Sequence, residues 1–425
     1  MRVVIFEDMK HSRFYPLSYL RPVFALRCGR TTLAEKIIRQ CPGAQVAWFL
    51  REELREVCAE QLVADGTAAA PPRINDPAAL RDDDLFLVNG RSLALAGTLR
   101  PQGDEACACK GETLVWARVR RERLARWAAQ SPADLAARCC AELPRTEPGV
   151  ELIEYPWDLI HHNAAAIVDD FQALGRSGIH GKMSDQAAIW GPTDRLYLAP
   201  GAEVQPHVTF DTTGGPIIIG AGTKIQAHTR IEGPCAIGEN CLIVGGKIRE
   251  GCAIGPVCRV GGEVEESIIH AYSNKYHDGF LGHAYVGEWV NLGALTTNSD
   301  LKNDYSNVQV YCEGQLLDTG SPKVGAFIGD HTKTSIGTCL NTGTVLGIMC
   351  NIVGVGHLPP KYVPSFTMFV EGRLFKVGIK AQLETARIAM GRRKRTLTAA
   401  QEALIQRVFD LTREERNAAL RKSAR

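Results

Sequence analysis

The clearest pattern along the chain is an aliphatic residue at every sixth position in its second half. From position 217 the sequence reads IIIGAGTKIQAHTRIEGPCAIGENCLIVGG. The period slips at Arg249, where Ile248 stands one place early, and it then resumes. The aliphatic positions of the series are Ile219, Ile225, Ile231, Ile237, Ile243, Ile254, Val260, Val286, Leu292, Ile328, Leu340, Leu346 and Ile352.

A period of six fits neither an α-helix nor a plain strand, whose side chains repeat about every 3.6 and about every two residues. It predicts a parallel β-helix, in which each repeat forms one flat face and three faces form one coil. The aliphatic side chains then stack inward as ladders, and small residues stand at the corners where the backbone turns. Glycine often follows the aliphatic residue, at Gly220, Gly238, Gly255, Gly287, Gly329 and Gly347.

One long segment interrupts the repeat. After Gly293 the chain reads ALTTNSDLKNDYSNVQVYCEGQLLDTGSPKVGAF before the period resumes near Ile328. Long loops on a repeat scaffold usually form a binding face, so this excursion argues against a solenoid that is only structural.

The first part of the chain alternates apolar runs with helical patterns. Strands are predicted at 3–6, 46–50 and 84–90, and helices at 31–40 and 51–62. This alternation predicts a doubly wound α/β sheet.

Beyond Pro364 the repeat stops, and two short helices are expected. Thr398 with Gln401, and Thr412 with Glu415, have the spacing of capping boxes. We therefore predict three parts: an α/β domain at 1–175, a β-helix at 176–372 and a helical tail at 373–425.

Composition favours a soluble globular enzyme. The 425 residues carry a formal net charge of +2, and 45% are hydrophobic, which points to neither a nucleic-acid nor a membrane partner. The start, MRVVIFEDMK, does not resemble a signal peptide, and no apolar run reaches the roughly 18 residues of a membrane helix, so we expect a cytoplasmic protein.

The chain contains 14 cysteines, which are most simply reduced thiols in small apolar sites. The densest groups are Cys107 with Cys109, and Cys139 with Cys140. Both lack the spacing of a zinc site.

A motif just before the excursion carries candidate chemistry. Residues 273–294 read SNKYHDGFLGHAYVGEWVNLGA, which resembles the acetyltransferase half of the bifunctional GlmU-type enzymes that make UDP-N-acetylglucosamine. The positions in register are His277, Phe280, Leu281-Gly282, Val286-Gly287, Val290-Asn291 and Gly293-Ala294. The resemblance implies a left-handed, LpxA-like hexapeptide coil that forms a homotrimer, with acyl sites between neighbouring coils.

The resemblance also implies roles for single residues. His277 would be the general base that deprotonates a sugar amine as it attacks acetyl-CoA, and imidazole has a suitable pKa. Asn291 would contact the sugar, and Asn298 would lie near acetyl-CoA. Asp330 stands where the family has a serine near the cofactor. The alternative for His277 is an exposed histidine on a coil turn.

Two positions depart from this family. Phe280 replaces a tyrosine and so lacks its hydroxyl, and Glu265 or Glu266 stands where the family has a lysine. Arg249 matches a family arginine and could hold a phosphate. Acetyl transfer is therefore expected, but with an acceptor that need not be glucosamine 1-phosphate.

The N-terminal loop resembles that of sugar-phosphate nucleotidyltransferases. In SRFYPLSYLRPV the matching residues are Arg13, Pro16, Leu17, Ser18 and Pro22. The family's glycines are replaced by residues 7–11, its lysine by Val23, and its metal-binding aspartate by the Asn89-Gly90-Arg91 turn. We hypothesise that Arg13, Arg21 and Arg91 supply cationic charge in place of the lysine and Mg²⁺, although Mg²⁺ could still serve nucleotidyl transfer.

Together these motifs resemble an alternative bacterial group of GlmU-related sugar nucleotidyltransferases over about residues 1 to 370. The resemblance implies a nucleotide-sugar biosynthesis enzyme that acetylates an amino sugar and then transfers a nucleotide to a sugar 1-phosphate. Its partners would be a sugar phosphate, a nucleoside triphosphate and acetyl-CoA. The alternatives are an acyltransferase whose N-terminal domain only binds a nucleotide sugar, and a non-catalytic regulatory or scaffold protein.

Overall fold

The computed structural model describes residues 1–64, 66, 72–81 and 83–423, which divide into two compact units. The N-terminal unit comprises Met1–Phe14, Leu20–Leu26 and Thr31–Tyr155. The C-terminal unit comprises Tyr15–Tyr19, Arg27–Arg30 and Pro156–Arg425. The domain boundaries at 175 and 372 stay predictions.

The strands up to residue 152 are β1 Arg2–Phe6, β2 Arg27–Cys28, β3 Thr31–Thr32, β4 Gln45–Phe49, β5 Arg73–Ile74, β6 Leu85–Asn89, β7 Ser92–Leu93, β8 Ala106–Lys110, β9 Thr113–Val119, β10 Arg145–Thr146 and β11 Glu151–Leu152. The helices up to residue 174 are α1 Leu33–Arg39, α2 Arg55–Ala64, α3 Arg121–Trp127, α4 Pro132–Glu142, α5 Pro156–His161 and α6 Asn163–Leu174.

The N-terminal unit is built on a seven-stranded sheet in the order β10-β8-β9-β6-β1-β4-β5. The central strand β1 (RVVIF) is buried at every position and pairs in parallel with β4 and β6, as expected for a strand covered on both faces. Phe6, Phe49 and Asn89 are in register at the carboxyl ends of these three strands. The α/β prediction is confirmed, and this edge is where a parallel sheet usually binds ligands.

The coil strands are β12 Gly178–Ile179, β13 Lys182–Met183, β14 Ala188–Trp190, β15 Leu196–Leu198, β16 Glu203–Val204, β17 Thr209–Asp211, β18 Ile217–Ile219, β19 Lys224–Ile225, β20 Arg230–Glu232, β21 Cys235–Ile237, β22 Leu242–Ile248, β23 Cys252–Ile254, β24 Arg259–Glu265, β25 Ile268–Ala271, β26 Asn274–Lys275, β27 Phe280–Gly282, β28 Tyr285–Glu288, β29 Thr297–Asn298, β30 Gln309–Cys312, β31 Gln315–Asp318, β32 Phe327–Ile328, β33 Lys333–Thr334, β34 Cys339–Leu340, β35 Val345–Leu346, β36 Asn351–Val353, β37 Tyr362–Val363, β38 Thr367–Val370 and β39 Arg373–Lys376.

Apart from β30, β31 and β39, these strands form a β-solenoid of about 11 turns over residues 178–370, so the predicted β-helix is confirmed. All thirteen aliphatic residues of the six-residue series lie in one buried core. The early slip in the period has a local cause, because the pairing of β22 with β24 shifts register between Val244 and Lys247.

The prediction of small residues at the corners is wrong in part. Large residues such as Val257, Trp289 and Phe366 hold left-handed corner positions, with φ of 61°, 59° and 60°. Hydrogen bonds to the adjacent coil stabilise such corners, as from Val257 N to Glu239 O at 2.9 Å. Glycine is needed instead beside the aliphatic ladder, since a Cβ on Gly255 would lie 1.6 Å from the carbonyl oxygen of His270.

The excursion is shorter than expected and partly ordered as a hairpin. Strand β29 still pairs with β34 of the coil, so the chain leaves the solenoid only after Asn298. Strands β30 and β31 then form an antiparallel pair before Phe327 rejoins the coil.

The tail forms three helices where two were expected: α7 Ile379–Gly391, α8 Ala399–Leu411 and α9 Arg413–Ser423. The capping box of Thr398 and Gln401 is present at the start of α8. Thr412 forms no such box, because its hydroxyl donates to the Val408 carbonyl. No helix among the residues that the structure describes is long and apolar enough to span a bilayer.

Candidate functional site

His277 lies at a coil corner, in the loop between β26 and β27. Its side chain is exposed and borders a cavity of about 350 Å³. The lining of the cavity is Val244, Gly262, Tyr276, His277, Asp278, Ala294 and Leu295. The predicted general base therefore stands at the mouth of a small concave site.

A buried lysine, Lys275, stabilises the His277 loop through hydrogen bonds to main-chain carbonyls. Lys275 is only 3% exposed and pairs with Val260 at an inward position of the coil. Its ammonium donates to the carbonyl of Gly261 at 2.9 Å and to that of His277 at 3.0 Å. Burial lowers the pKa of Lys275 to about 8, although Asp278 and Glu263 oppose the change.

Lys275 was missed by the sequence analysis, although its position gave a signal. A lysine in a row of inward aliphatic residues requires buried acceptors. The neighbouring glycine makes room for the ammonium, because a Cβ on Gly262 would lie 2.7 Å from Lys275 Nζ.

Asn291 is exposed on the strand face that leads toward the same corner. Its Oδ1 accepts a hydrogen bond from Asn274 Nδ2 at 3.2 Å, and Asn274 lies three residues before His277 in the chain. Asn274 Oδ1 in turn accepts from Arg393 at 2.9 Å. The structure thus leaves Asn291 accessible to a ligand, and its contact with a sugar stays a prediction.

Phe280 and Asn298 are both engaged within the coil. Phe280 is half-buried, and its N–H donates to Thr297 Oγ1 at 3.3 Å. Asn298 is 2% exposed and exchanges hydrogen bonds with Gly282, accepting at 3.0 Å and donating at 2.9 Å. This amide stabilises the coil where the excursion leaves it, and its predicted role toward acetyl-CoA stays a prediction.

Asp330 is also buried, and its Oδ1 accepts from the main-chain N–H of Glu288 at 2.6 Å. A Cβ on Gly287 would come within 2.3 Å of that oxygen, so the glycine makes the contact possible. Asp330 therefore connects neighbouring coils, and a contact with a cofactor stays a prediction.

Arg249 stands among carboxylates. It lies 2.9 Å from Glu265, 3.7 Å from Glu250 and 3.9 Å from Glu232. Burial lowers the pKa of Arg249, but these carboxylates outweigh it and raise the pKa above its usual range. A phosphate at Arg249 would have to compete with these acidic groups.

A second histidine, missed from the sequence, anchors the excursion to the coil. His283 Nδ1 lies 2.8 Å from Asp300 Oδ2, and its Nε2 lies 3.2 Å from Glu266 Oε2. Burial lowers the pKa of His283, but the bonds to Asp300 and Glu266 outweigh it and raise the pKa to about 9. His283 is therefore a charged structural residue at neutral pH.

At the edge of the N-terminal sheet formed by the carboxyl ends of β1, β4 and β6, Arg91 forms an ion pair with Asp8. Arg91 is 1% exposed, and its Nη2 lies 2.7 Å from Asp8 Oδ2. Asn89 Nδ2 donates to the same oxygen at 2.8 Å. Burial raises the pKa of Asp8, but the bonds from Arg91 and Asn89 outweigh it and hold the pKa below its usual range.

Glu154 forms ion pairs with three cationic side chains at this edge of the sheet. Its Oε2 lies 2.8 Å from Arg13, 3.3 Å from Lys10 and 3.3 Å from Arg91. Three cations thus face two carboxylates, Glu154 and Asp8. The structure brings Arg13 and Arg91 together at Glu154, and most of their charge is neutralised within the protein. Their role toward a ligand stays a hypothesis.

Arg21 is 4% exposed, and its carbonyl accepts a hydrogen bond from Arg51 Nη2 at 3.1 Å. The side chain of Glu7, in the same loop, is bound within the protein. It accepts from Val23 N at 2.9 Å and from Arg51 Nε at 2.9 Å. The carboxylate of Glu7 thus stabilises the N-terminal loop through hydrogen bonds within the protein.

This edge does not fit Mg²⁺. The ion prefers carboxylate oxygens, and the Asp8 carboxylate is bound by the guanidinium of Arg91 through both oxygens. Within the part of the chain that the structure describes, no group of three or more histidine, cysteine or acidic side chains is arranged to hold a metal ion.

Comparison with known proteins adds independent findings. Residues 3–177 match the family model described as sugar nucleotidyl transferase. The bifunctional sugar-1-phosphate nucleotidylyltransferase/acetyltransferase of Sulfurisphaera tokodaii is 36% identical over 90 residues, which are 21% of this chain and 22% of that protein. Bifunctional protein GlmU of Heliobacterium modesticaldum is 26% identical over 252 residues, which are 50% of each chain.

Among solved structures, a UDP-N-acetylglucosamine acyltransferase of Francisella novicida aligns with 52% of this chain and 74% of its own, at 15% identity and a TM-score of 0.27, a value from which we infer nothing. The chain spans at most half the length of the two curated relatives. The activities in their names therefore do not carry over to this chain by similarity alone. The nucleotidyl transferase match, the two bifunctional relatives and the β-solenoid together show a chain that resembles GlmU-type proteins, with an N-terminal region similar to sugar nucleotidyl transferases.

Proposed function

We propose that this protein is a transferase of nucleotide-sugar biosynthesis whose β-helix transfers an acetyl group from acetyl-CoA to an amino sugar or amino sugar phosphate. One observation carries the proposal. The exposed imidazole of His277 borders a cavity of about 350 Å³, in a loop whose backbone is held by Lys275. The names of the bifunctional relatives support the same reaction type.

The reaction needs a base at this position. The amine of the acceptor attacks the thioester carbonyl, and His277 takes the proton that the amine loses as the new C–N bond forms. The C–S bond then breaks, and the proton passes to the coenzyme A thiolate, which leaves as a thiol. The products are an N-acetylated sugar and free coenzyme A.

Free thiol release tests this proposal directly. The full-length protein is incubated with acetyl-CoA and a panel of amino sugars and amino sugar phosphates. We compare wild type with His277→Gln, and use His228→Gln as the matched control, since His228 is an exposed corner histidine outside the cavity. Release that collapses only in His277→Gln supports the proposal, whereas equal release in all three proteins overturns it.

For the N-terminal domain we propose nucleotidyl transfer to a sugar 1-phosphate, giving a product like UDP-N-acetylglucosamine. The match of residues 3–177 to a sugar nucleotidyl transferase model supports this reaction. The matched loop residue Arg13 and the strand-end Arg91 meet at the ligand edge through Glu154.

A second candidate is favoured by the same edge. Lys10, Arg13 and Arg91 are bound by Glu154 and Asp8, and the donor set does not fit Mg²⁺. A domain of this kind could bind a nucleotide sugar without making it.

Calorimetry with UTP and an assay for pyrophosphate, both on the full chain with a sugar 1-phosphate and Mg²⁺, separate the two candidates. Binding with pyrophosphate release supports transfer, and binding without release supports the second candidate.

We further propose a cytoplasmic homotrimer. Leu295 borders the cavity, and Leu295, Ile336 and Val355 are large exposed apolar side chains with exposures of 60%, 68% and 60%. Apolar surface beside a cavity supports its completion by another copy. The proposed substrates, a nucleoside triphosphate and acetyl-CoA, are supplied in the cytoplasm.

A further inference from the structure

Two cysteines that are distant in sequence have their sulfur atoms in contact. Cys109, on β8, and Cys140, on α4, have Sγ atoms 3.0 Å apart, and both are free thiols. A disulfide bond is about 2.05 Å long, so closing this pair would need a movement of only about 1 Å. Both side chains are half-buried, whereas their neighbours Cys107 and Cys139 lie in the core of the N-terminal unit.

A cavity gives access to Cys109. It has a volume of about 420 Å³ and is lined by Cys109, Arg145, Thr146, Glu147 and Pro148. Arg145 donates from Nη2 to the carbonyl of Cys140 at 3.2 Å, which places its guanidinium beside the thiols. A cavity of this size suits a small molecule, and the arginine favours one that carries carboxylates.

We propose that Cys109 and Cys140 form a modification site for thiol–disulfide exchange with an anionic low-molecular-weight disulfide of the glutathione type. The site lies outside the acyl-transfer cavity and the strand edge described above, and it depends on neither reaction. In the sequence these cysteines stand in two separate groups, Cys107 with Cys109 and Cys139 with Cys140. The fold brings one member of each group together.

The chemistry follows from which thiol is accessible. The Cys109 thiol gives up its proton and attacks one sulfur of the external disulfide, whose other half leaves as a thiolate and takes up a proton. Cys140 then attacks the Cys109 sulfur and releases the second external thiol. Two protein thiols are oxidised to one disulfide, and one external disulfide is reduced to two thiols.

The order of attack is set by position. Cys109 faces the cavity, whereas burial raises the pKa of Cys140 to about 12, so Cys140 suits the second, intramolecular step. Burial also raises the pKa of Cys107 to about 11 and that of Cys139 well above its usual range. These two thiols should therefore stay reduced.

The test uses the full-length, folded protein treated with glutathione disulfide. Remaining thiols are alkylated, and peptide mass spectrometry identifies any disulfide. We expect the thiols of both residues to be lost and a Cys109–Cys140 linkage to appear, and this linkage should be absent in Cys109→Ser and in Cys140→Ser. The exposed thiol of Cys339 is counted separately. Cys139→Ala is the matched control and should keep the linkage.

A second comparison tests the role of Arg145. Cystamine, a cationic disulfide, should react more slowly than glutathione disulfide with wild type, and Arg145→Gln should slow the glutathione reaction severalfold while sparing the cystamine reaction. An unchanged thiol count, a linkage between other cysteines, or a glutathione adduct that stays on Cys109 would overturn the proposed pair. Equal effects of Arg145→Gln on both disulfides would overturn the anionic preference.

Discussion

The ammonium of Lys275 donates a hydrogen bond to the main-chain carbonyl of His277, two residues further along the chain, at 3.0 Å. The lysine is buried, and the histidine is exposed at the cavity. One residue therefore fixes the loop on which the proposed base stands, without facing the substrate itself. Position rather than charge is what Lys275 provides to the site.

Replacing Lys275 by methionine should separate activity from stability. We expect kcat for acetyl transfer to fall by about 10- to 100-fold, because a displaced base costs rate even when the change is small. KM for acetyl-CoA should change little, and the unfolding temperature should fall only modestly, since removing a buried charge offsets part of the cost of the two carbonyls that lose their donor.

Lys333→Met is the matched control for this variant. Lys333 is a half-buried lysine, its pKa is likewise lowered to about 8 by burial, and it donates to the carbonyl of His331 at 2.8 Å. A kcat for Lys275→Met equal to that of wild type, or an equal loss in both variants, would contradict a positioning role.

His283 should make stability fall with rising pH. Its folded pKa is about 9 against an ordinary value of 6.5, so its contribution is fully present below pH 6.5 and is lost as pH rises through 9. The contribution amounts to roughly 3 kcal/mol. Urea unfolding at a series of pH values should show this loss in wild type and not in His283→Gln. The exposed His180→Gln variant should keep the wild-type profile. A stability of wild type that does not change with pH would contradict the stabilising role of the His283 bonds to Asp300 and Glu266.

Glu154→Gln should strengthen binding of UTP. Removing this negative charge takes the carboxylate from Lys10 and Arg13, while Arg91 keeps its partner Asp8. We expect about fivefold tighter binding or more, since charge-assisted bonds to phosphate are strong. Calorimetric titration of the full chain provides the measurement.

Glu151→Gln serves as the control, because Glu151 is an exposed carboxylate with its own partner, Lys110, at 2.8 Å. Its affinity for UTP should match that of wild type. If Glu154→Gln bound UTP no better than Glu151→Gln, the ligand would not use these cations.

Ile336→Glu should break the proposed trimer. Ile336 is 68% exposed, and a carboxylate there would have to be buried against another copy. Sedimentation analysis should show a monomer for this variant and a trimer for wild type. Ile388→Glu, at an equally apolar position of 60% exposure on α7, should remain trimeric. A monomeric wild type would contradict the proposal.

The sequence was most informative where one local rule repeats. The six-residue series predicted the solenoid because each inward position faces the same packed core, as Ile225 and Ile243 do in consecutive coils. The tail was less clear, because α7 has no capping box to mark its start.

The site depended on contacts that local patterns cannot show. Glu154 binds Arg13 across 141 positions of the chain, and two of the carboxylates around Arg249, Glu232 and Glu265, belong to neighbouring coils. Asn298 is a predicted binding residue by its motif, and only the structure shows that its buried amide bonds Gly282. Pairing across coils and across the sheet decides which charges remain available to a ligand.

The central claim is that the His277 cavity acetylates an amino sugar. The most direct measurement is mass spectrometry of the acceptor after incubation of the full-length protein with acetyl-CoA and the panel of amino sugars and their phosphates. We expect one acceptor to gain an acetyl group on its amine with wild type, and not with His277→Gln. An acceptor pool that stays unmodified with wild type, or that is acetylated equally by His277→Gln, would contradict the claim.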